Sequence, residues 1–180
     1  MPNHLHRLAL TALGMLFALA GCTSIPAGLR PVENFDANRY LGKWYEIARL
    51  DHSFERGLTR VCAEYSRRPD GSISVVNRGY NAKTGQWSEA HGVARFIGDS
   101  HIGSLKVSFF RPFWGGYHII ALDEPGYGYA MIAGPNRSYL WILSREKTLP
   151  HPVLSSLISK AQNLGFNTGE LIIVDQKGRD

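Results

Sequence analysis

From Gly42 onward the chain is a series of short apolar or alternating runs, with turn residues between them. Runs of this length bounded by Gly, Pro, Asn and Asp are typical of β-strands, and their even spacing favours an antiparallel meander. The pattern predicts eight strands. The runs span residues 43–50, 59–67, 72–80, 86–97, 104–110, 116–123, 127–134 and 138–145.

An open meander of eight strands would leave its two edge strands exposed. Closing the sheet into a barrel removes these edges, and a barrel of eight strands leaves room for one small ligand. The predicted fold class is therefore all-β, an eight-stranded antiparallel up-and-down barrel.

One C-terminal segment has helical periodicity instead. Apolar residues recur at helical spacing between residues 153 and 164. Pro152 suits a first helical turn and Gly165 suits the residue just past the end. We expect one α-helix that packs its apolar stripe on the outside of the barrel, followed by a short ninth strand from Leu171 to Val174.

The N-terminus carries a second kind of signal. Leu8 to Ala20 form an apolar run of 13 residues, about 20 Å long as a helix, which is shorter than the roughly 30 Å hydrocarbon core of a bilayer. It fits a secretion signal. The motif that follows, Leu19-Ala20-Gly21-Cys22, resembles the lipobox of bacterial lipoproteins. The alternative is that the apolar run is an N-terminal membrane anchor that is not cleaved, and that Cys22 has no role in lipidation.

The lipobox resemblance implies that residues 1–21 are cleaved off and that Cys22 is acylated. The residue after the cysteine is Thr23 and not Asp, which by the sorting rule of bacterial lipoproteins favours the outer membrane, with the domain on the periplasmic side. Residues 22–34, rich in Pro and Gly, predict a lipidated tether that holds the domain off the membrane. Residues 35–180 are predicted to form the barrel domain.

Composition narrows the function classes. Cleavage leaves 159 residues, one domain's worth. With Cys22 bearing lipid, Cys62 has no second cysteine with which to form an intramolecular disulfide, which rules out a disulfide framework. Cleavage removes Arg7 alone among the charged residues, lowering the net charge of +5 by one. This modest excess without a basic stripe argues against nucleic-acid binding.

Two motifs resemble the signatures of the lipocalin family. The first is Asn38-Arg39-Tyr40-Leu41-Gly42-Lys43-Trp44-Tyr45-Glu46-Ile47, and another is Leu140-Trp141-Ile142-Leu143-Ser144-Arg145. A further family signature is present only in part, as Leu122-Asp123 and Tyr127. The resemblance is greatest to bacterial outer-membrane lipocalins of the apolipoprotein D branch, and it covers residues 33–175.

The lipocalin resemblance implies roles for particular residues. A short helical turn precedes Gly42, Trp44 plugs the closed end of the barrel, and Arg145 packs across it. Positions equivalent to Tyr65, Asn77 and Trp141 line the ligand pocket in the apolipoprotein D branch.

Strand alternation extends this set. It adds Val75, Phe109 and Tyr117 to the predicted ligand-binding residues. It also turns Glu46 and Ala48 inward with Trp44.

Little in the chain suggests catalysis. The histidines that remain after cleavage show no metal-ligand spacing, and no cofactor motif is present. Glu46 is either a general acid or, as we favour, part of an ion pair or a hydrogen bond to a ligand head group. Cys62 alone could support an enzyme, but the alternation set by Tyr65 turns it outward.

Three functional interpretations therefore remain. The favoured one is a non-enzymatic outer-membrane carrier that stores or transports a fatty acid or lysophospholipid in its barrel. The alternatives are a lipid-modifying enzyme that uses Cys62, and a purely structural envelope lipoprotein. A homodimer is left open.

Overall fold

The computed structural model of the protein describes residues 23–178, so the predicted signal sequence and Cys22 lie outside the described residues. Within that range the chain forms nine strands, two α-helices and one 3₁₀ helix at Thr168–Glu170. The helices are α1 (Ala37–Tyr40) and α2 (His151–Asn163). The strands are β1 (Gly42–Arg49), β2 (Leu58–Arg67), β3 (Ile73–Asn81), β4 (Gln86–Phe96), β5 (Ser104–Ser108), β6 (Gly115–Leu122), β7 (Tyr129–Ala133), β8 (Leu140–Ser144) and β9 (Ile172–Ile173).

The strands close into the predicted barrel. Each strand from β2 to β8 pairs antiparallel with the next, β8 pairs with β1, and β1 pairs in turn with β2. The ninth strand is shorter than predicted and bonds to β1 outside this ring. The all-β barrel with one C-terminal helix is thus confirmed.

The strand boundaries differ from the prediction by at most two residues, as at the end of β5 and the start of β7. Strand β5 ends at Ser108, and the chain leaves the sheet at Phe109 to enter the loop of residues 109–114. Strand β7 begins at Tyr129 because Tyr127 adopts a left-handed φ of 51°. The Tyr127 N–H bonds to the Asp123 carbonyl at 2.6 Å, which closes a tight turn before the strand.

Apolar side chains fill two separate clusters, one inside the barrel and one between its outer wall and α2. The inner cluster is built around Trp44 at the closed end. In the outer cluster, Leu157 and Ala161 of α2 pack on wall residues such as Met131 and Ile142. This is the packing that the helical stripe predicted. Neither α-helix in residues 23–178 is long and apolar enough to cross a bilayer.

The residues predicted to form a tether lie against the barrel as far as the structure describes them. Leu29 is buried in the outer cluster. The Val32 N–H bonds to the Ile119 carbonyl, and the Val32 carbonyl accepts from the Gly103 N–H, both at 2.8 Å. Arg137 donates to the Ala27 carbonyl at 2.7 Å. These contacts hold residues 27–32 against the barrel.

A β-bulge in β1 changes which residues face inward. It lies between Glu46 and Ala48, where Ile47 is the extra residue opposite β8. Because one inserted residue reverses the alternation of side chains, Ala48 packs in the outer cluster, which corrects its predicted inward orientation. Arg49 points inward instead, with its guanidinium on the Glu46 carboxylate.

The C-terminal segment closes the gap where β1 and β2 part. Their pairing ends at Tyr45 and Cys62, just before bulges in both strands. Gln176 is buried there, and its Nε2 donates to the carbonyls of Glu46 at 2.7 Å and Val61 at 2.8 Å. One side-chain amide therefore satisfies two backbone acceptors that have left the β1–β2 ladder.

We expect Gln176→Ala to lower the free energy of unfolding by about 2–4 kcal/mol, because two buried carbonyls would lose their donor. Chemical denaturation of the variant checks this. Gln162→Ala on the exposed face of α2 is the matched control, and it should change stability by less than about 0.5 kcal/mol. Equal denaturation midpoints for the two variants would show that Gln176 does not stabilise the gap between β1 and β2.

Candidate functional site: the barrel cavity

The barrel encloses a cavity of about 710 Å³. Its closed end is formed by Trp44, Phe35 and Tyr127. The opposite end opens between four loops, residues 50–57, 82–85, 109–114 and 134–139. The wall between them is largely apolar and aromatic, the usual character of a ligand pocket.

Trp44 closes one end as the sequence predicts. It is fully buried, its Nε1 donates to the Tyr40 carbonyl at 2.8 Å, and the Tyr40 ring lies 4.7 Å from it. The Arg145 guanidinium covers the other face at 3.9 Å. Gly42 has a φ of 91°, a conformation that favours glycine, and a β-carbon there would lie 3.5 Å from the Arg145 guanidinium.

Arg145 does more than stack on Trp44. Its guanidinium donates to the carbonyls of Arg39 at 2.7 Å, Lys43 at 2.8 Å and Tyr127 at 3.3 Å. It therefore ties α1, β1 and the loop before β7 together beneath the plug.

All six predicted ligand-binding residues line the cavity. The set is Tyr65, Val75, Asn77, Phe109, Tyr117 and Trp141. Their contact with a ligand stays a prediction.

The cavity floor carries three phenols that satisfy one another. The Tyr117 hydroxyl lies 2.7 Å from the Tyr40 hydroxyl and 2.9 Å from the Tyr65 hydroxyl. Burial raises the pKa of all three groups, so they stay neutral. Because the phenol groups form hydrogen bonds with each other, an apolar ligand tail can pack on them without leaving a polar group unsatisfied.

Two of the predicted residues have notable surroundings. Among residues 23–178 the buried Oδ1 of Asn77 has no hydrogen-bond partner, so it can accept from a ligand hydroxyl. Phe109 is 45% exposed at the mouth, and its ring lies over Gly92 of β4. A β-carbon on Gly92 would be 2.8 Å from that ring, so only glycine allows this close approach.

A charged cluster is buried in the upper wall of the cavity. Glu46, Arg49 and Glu55 are at most 7% exposed. Arg49 Nη1 donates to Glu46 Oε1 at 2.6 Å, and Nη2 donates to the carbonyls of Glu55 at 2.9 Å and Leu58 at 3.2 Å. The Glu55 carboxylate accepts from the Trp141 indole at 3.0 Å. This cluster connects β1, the 50–57 loop and β8.

Two buried carboxyl groups share the single charge of Arg49. Burial, followed by the charge of Glu55, raises the pKa of Glu46 to about 8. Burial also raises the pKa of Glu55, and this effect outweighs the hydrogen bond from Trp141 and the charge of Arg49, which both lower that pKa. The cluster therefore retains a proton at neutral pH and carries little net charge.

The raised pKa of Glu46 makes stability depend on pH. Between the usual value of 4.5 and about 8, the unfolded chain releases a proton that the folded state keeps. The contribution of Glu46 to stability must then fall as pH rises through that window, by up to about 1.4 kcal/mol per pH unit. Below about 6.5 the lowered pKa of His52 acts in the opposite direction, so the net fall in stability is expected between about 6.5 and 8. We expect Glu46→Gln to flatten this fall, since the amide has no proton to lose and can still accept from Arg49.

Urea denaturation across this window measures that slope. Glu64→Gln, at an exposed position on β2, is the control and should keep the slope of the unmutated protein. An unchanged slope in Glu46→Gln would contradict the protonated state of the cluster.

Aromatic rings stack at the mouth beside this cluster. The His52 imidazole lies between Phe54 at 5.4 Å and Tyr139 at 4.8 Å, nearly parallel to both. Trp141 is 4.7 Å away at a tilt. Burial, with the charge of Arg49, lowers the pKa of His52 to about 4, so the ring is neutral. The stack narrows the entrance with uncharged rings.

Cys62 lies in the cavity wall, but its ladder partners place it on the outer face. It pairs with Tyr45 on one side and Arg78 on the other, whereas its neighbour Ala63 pairs with Trp44. Residues 23–178 hold no grouping of three or more His, Cys, Asp or Glu that could bind a metal.

Sequence reasoning missed Arg49, His52 and Glu55. Arg49 turns inward only because of the bulge, which no polar-apolar pattern marks. The stretch Phe54-Glu55-Arg56-Gly57 resembles the apolipoprotein D branch and could have directed attention to Glu55.

The fold and cavity define a class of protein, a closed barrel that binds a small apolar ligand inside. Residues 35–176 match the profile described as a lipocalin-like domain. The chain belongs to the lipocalin family.

Three relatives show how far the similarity extends. The chain is 52% identical over 159 residues to outer membrane lipoprotein Blc of Vibrio cholerae, covering 88% of this chain and 93% of that protein. It is 31% identical over 176 residues to apolipoprotein D of Macaca fascicularis, covering 92% and 88%. The structure of insecticyanin from the tobacco hornworm Manduca sexta superposes with a TM-score of 0.67 at 22% identity, covering 85% and 87%, and shows the shared fold.

Proposed function

We propose that this lipocalin is an outer-membrane lipoprotein that stores or transports a fatty acid or lysophospholipid, held tail-first in its barrel. The observation that carries the proposal is the cavity of about 710 Å³, with an apolar aromatic wall and one open end. Its floor of mutually bonded tyrosines suits a hydrocarbon tail. The head group would stay at the mouth, which avoids the cost of burying a charge.

A single acyl chain fits this site better than two. The Arg49 cluster and the His52 stack occupy space at the upper end of the cavity and restrict its entrance. This restricted space favours single-chain lipids over intact phospholipids.

The proposed location rests on the N-terminus and on the relatives. Residues 1–21 would be removed, and acyl chains on Cys22 would hold residues 35–180 at the periplasmic side of the outer membrane. The name of the Vibrio cholerae relative, outer membrane lipoprotein, supports this location. A homodimer stays a prediction.

The two other interpretations receive less support. The outward register of Cys62 argues against an enzyme that would use this thiol on a lipid in the cavity. A purely structural barrel would be filled by its own side chains, and the cavity volume argues against that. The proposed function is therefore non-enzymatic binding.

A bulky residue inside the cavity should displace the lipid. Ala90 of β4 pairs with Asn77 of β3, and both residues line the cavity. Its neighbour His91 points outward. We expect protein extracted from its own envelope to carry a single-chain lipid, Ala90→Trp to lose most of it and His91→Trp to keep it.

Native mass spectrometry of the three proteins makes this comparison, with the released lipid identified in the same experiment. Equal lipid content in Ala90→Trp and His91→Trp would place the lipid outside the barrel and contradict the proposal.

A further inference from the structure

Large aromatic side chains are exposed around the open mouth. Phe54 is 63% exposed, Phe110 75% and Phe113 64%. Phe54 lies on the 50–57 loop, and the other two lie on the 109–114 loop, stacked with ring centroids 6.3 Å apart. We call these three residues the aromatic rim. Single exposed apolar residues are ordinary, but several on loops around one opening indicate an interaction surface.

The N-terminal segment leads to this same end of the barrel. Phe35 lies beneath the closed end, where its N–H bonds to the His101 carbonyl at 2.8 Å. Towards the N-terminus, Ala27 is held by Arg137 of the 134–139 loop at the mouth. The Thr23 carbonyl lies 3.2 Å from the position that a β-carbon on Gly116 would take. The segment thus follows the outer wall from the closed end to the open end.

The described part of the chain begins at Thr23, beside the start of β6, and Cys22 is the residue bonded to it in the sequence. Strand β6 begins directly after the 109–114 loop that carries Phe110 and Phe113. The proposed anchor and the aromatic rim therefore share one end of the molecule.

Charge at this end also suits a membrane surface. Arg111 lies between the two rim phenylalanines of the 109–114 loop, and Lys83 lies on the 82–85 turn; both are exposed. Aromatic rings with neighbouring cations are typical of surfaces that lie in the interface of an anionic bilayer.

We propose that the aromatic rim rests in the bilayer that holds the Cys22 acyl chains, with the mouth of the barrel facing the lipid. This inference rests on the proposed lipoprotein function. In this orientation a tail passes between bilayer and cavity without crossing bulk water. It also means that residues 23–34, which pack along the barrel, hold its mouth against the membrane. A loose tether would instead hold the domain away from the membrane.

Site-specific fluorescence on the full acylated protein tests the orientation. In a Cys62→Ser background, one variant carries an environment-sensitive dye at Arg111→Cys in the rim loop, and a matched variant carries it at Ser100→Cys in the exposed loop of the closed end. Both are reconstituted on vesicles of phosphatidylethanolamine and phosphatidylglycerol with brominated acyl chains. We expect emission at position 111 to shift to the blue and be quenched several-fold more than at position 100.

Two further variants connect the signal to the rim. Phe110→Ser with Phe113→Ser should abolish most of the quenching at position 111, whereas Ile97→Ser, an exposed apolar residue at the closed end, should leave it unchanged. Vesicle-bound protein with equal, weak quenching at both positions would overturn the docking. A blue shift at position 111 without quenching would mean that a second copy covers the rim, which also overturns it.

Flotation of the vesicles and lipid content separate this proposal from the proposed function. Protein that does not float has no anchor, and both the lipoprotein proposal and the docking then fail. Protein that floats and carries lipid in its cavity, yet leaves position 111 unquenched, refutes the docking alone.

Discussion

Replacing Trp44 with alanine is expected to lower the free energy of unfolding by about 3–5 kcal/mol, the range for deleting a large buried aromatic side chain. Trp44 is 0% exposed, and its ring lies between Tyr40 and the Arg145 guanidinium. The variant would lose these contacts and leave the Arg145 charge facing a cavity at the base of the barrel. A typical domain has only about 5–15 kcal/mol in total, so the variant should be marginally stable.

Trp87→Ala is the matched control for this prediction. Trp87 is 44% exposed near the β3–β4 turn, where Arg60 lies over its ring at 4.8 Å. We expect its loss to cost no more than about 1 kcal/mol, the value for an exposed cation–π contact. Denaturation midpoints for Trp44→Ala and Trp87→Ala that agree would mean that Trp44 is not a plug.

The sequence predicted the cavity wall well wherever strand alternation runs unbroken. On β3, Val75 and Asn77 face inward in step, and on β8 Trp141 and Leu143 do the same. Side chains of a strand alternate between the two faces of the sheet. Once the family resemblance gives the direction of one side chain on such a strand, alternation determines the direction of the others.

Prediction failed where the backbone departs from that period. The β1 bulge turns Ala48 outward and Arg49 inward, and the hydrogen bonds between the strands determine where such a bulge forms.

The N-terminal segment was also predicted incorrectly. It is rich in Pro and Gly and was expected to be a tether, yet Leu29 and Val32 pack on the barrel through contacts with residues far along the chain. Tertiary contacts of this kind leave no local pattern in the sequence.

Affinity for acyl chains should rise steeply with chain length. Each methylene moved out of water contributes roughly 0.8 kcal/mol, which is about a fourfold gain in affinity. Several kcal/mol are lost on association and on ordering the chain, so we expect dissociation constants near micromolar for long chains. The rise should stop once the tail fills the cavity of about 710 Å³.

Trp141 should report this filling. Its ring lines the cavity, while its indole N–H is held by Glu55, so a tail packed against the ring changes its fluorescence without moving it. Trp141→Phe should reduce the signal, Trp114, which also lines the cavity, should report the remainder, and Trp87→Phe should leave the signal unchanged. Trp141→Ala should also weaken binding, since it removes apolar wall area.

Titration of delipidated protein with saturated fatty acids and matching lysophospholipids of increasing length is the most direct test that the barrel holds one acyl tail. The expected result is saturation at one ligand per protein, with affinity rising about fourfold per methylene and then levelling off. Fatty acid and lysophospholipid of equal tail length should level off together, because the head group stays outside. Affinity independent of chain length, or binding that continues to strengthen without a plateau, would contradict a closed cavity filled by a single tail.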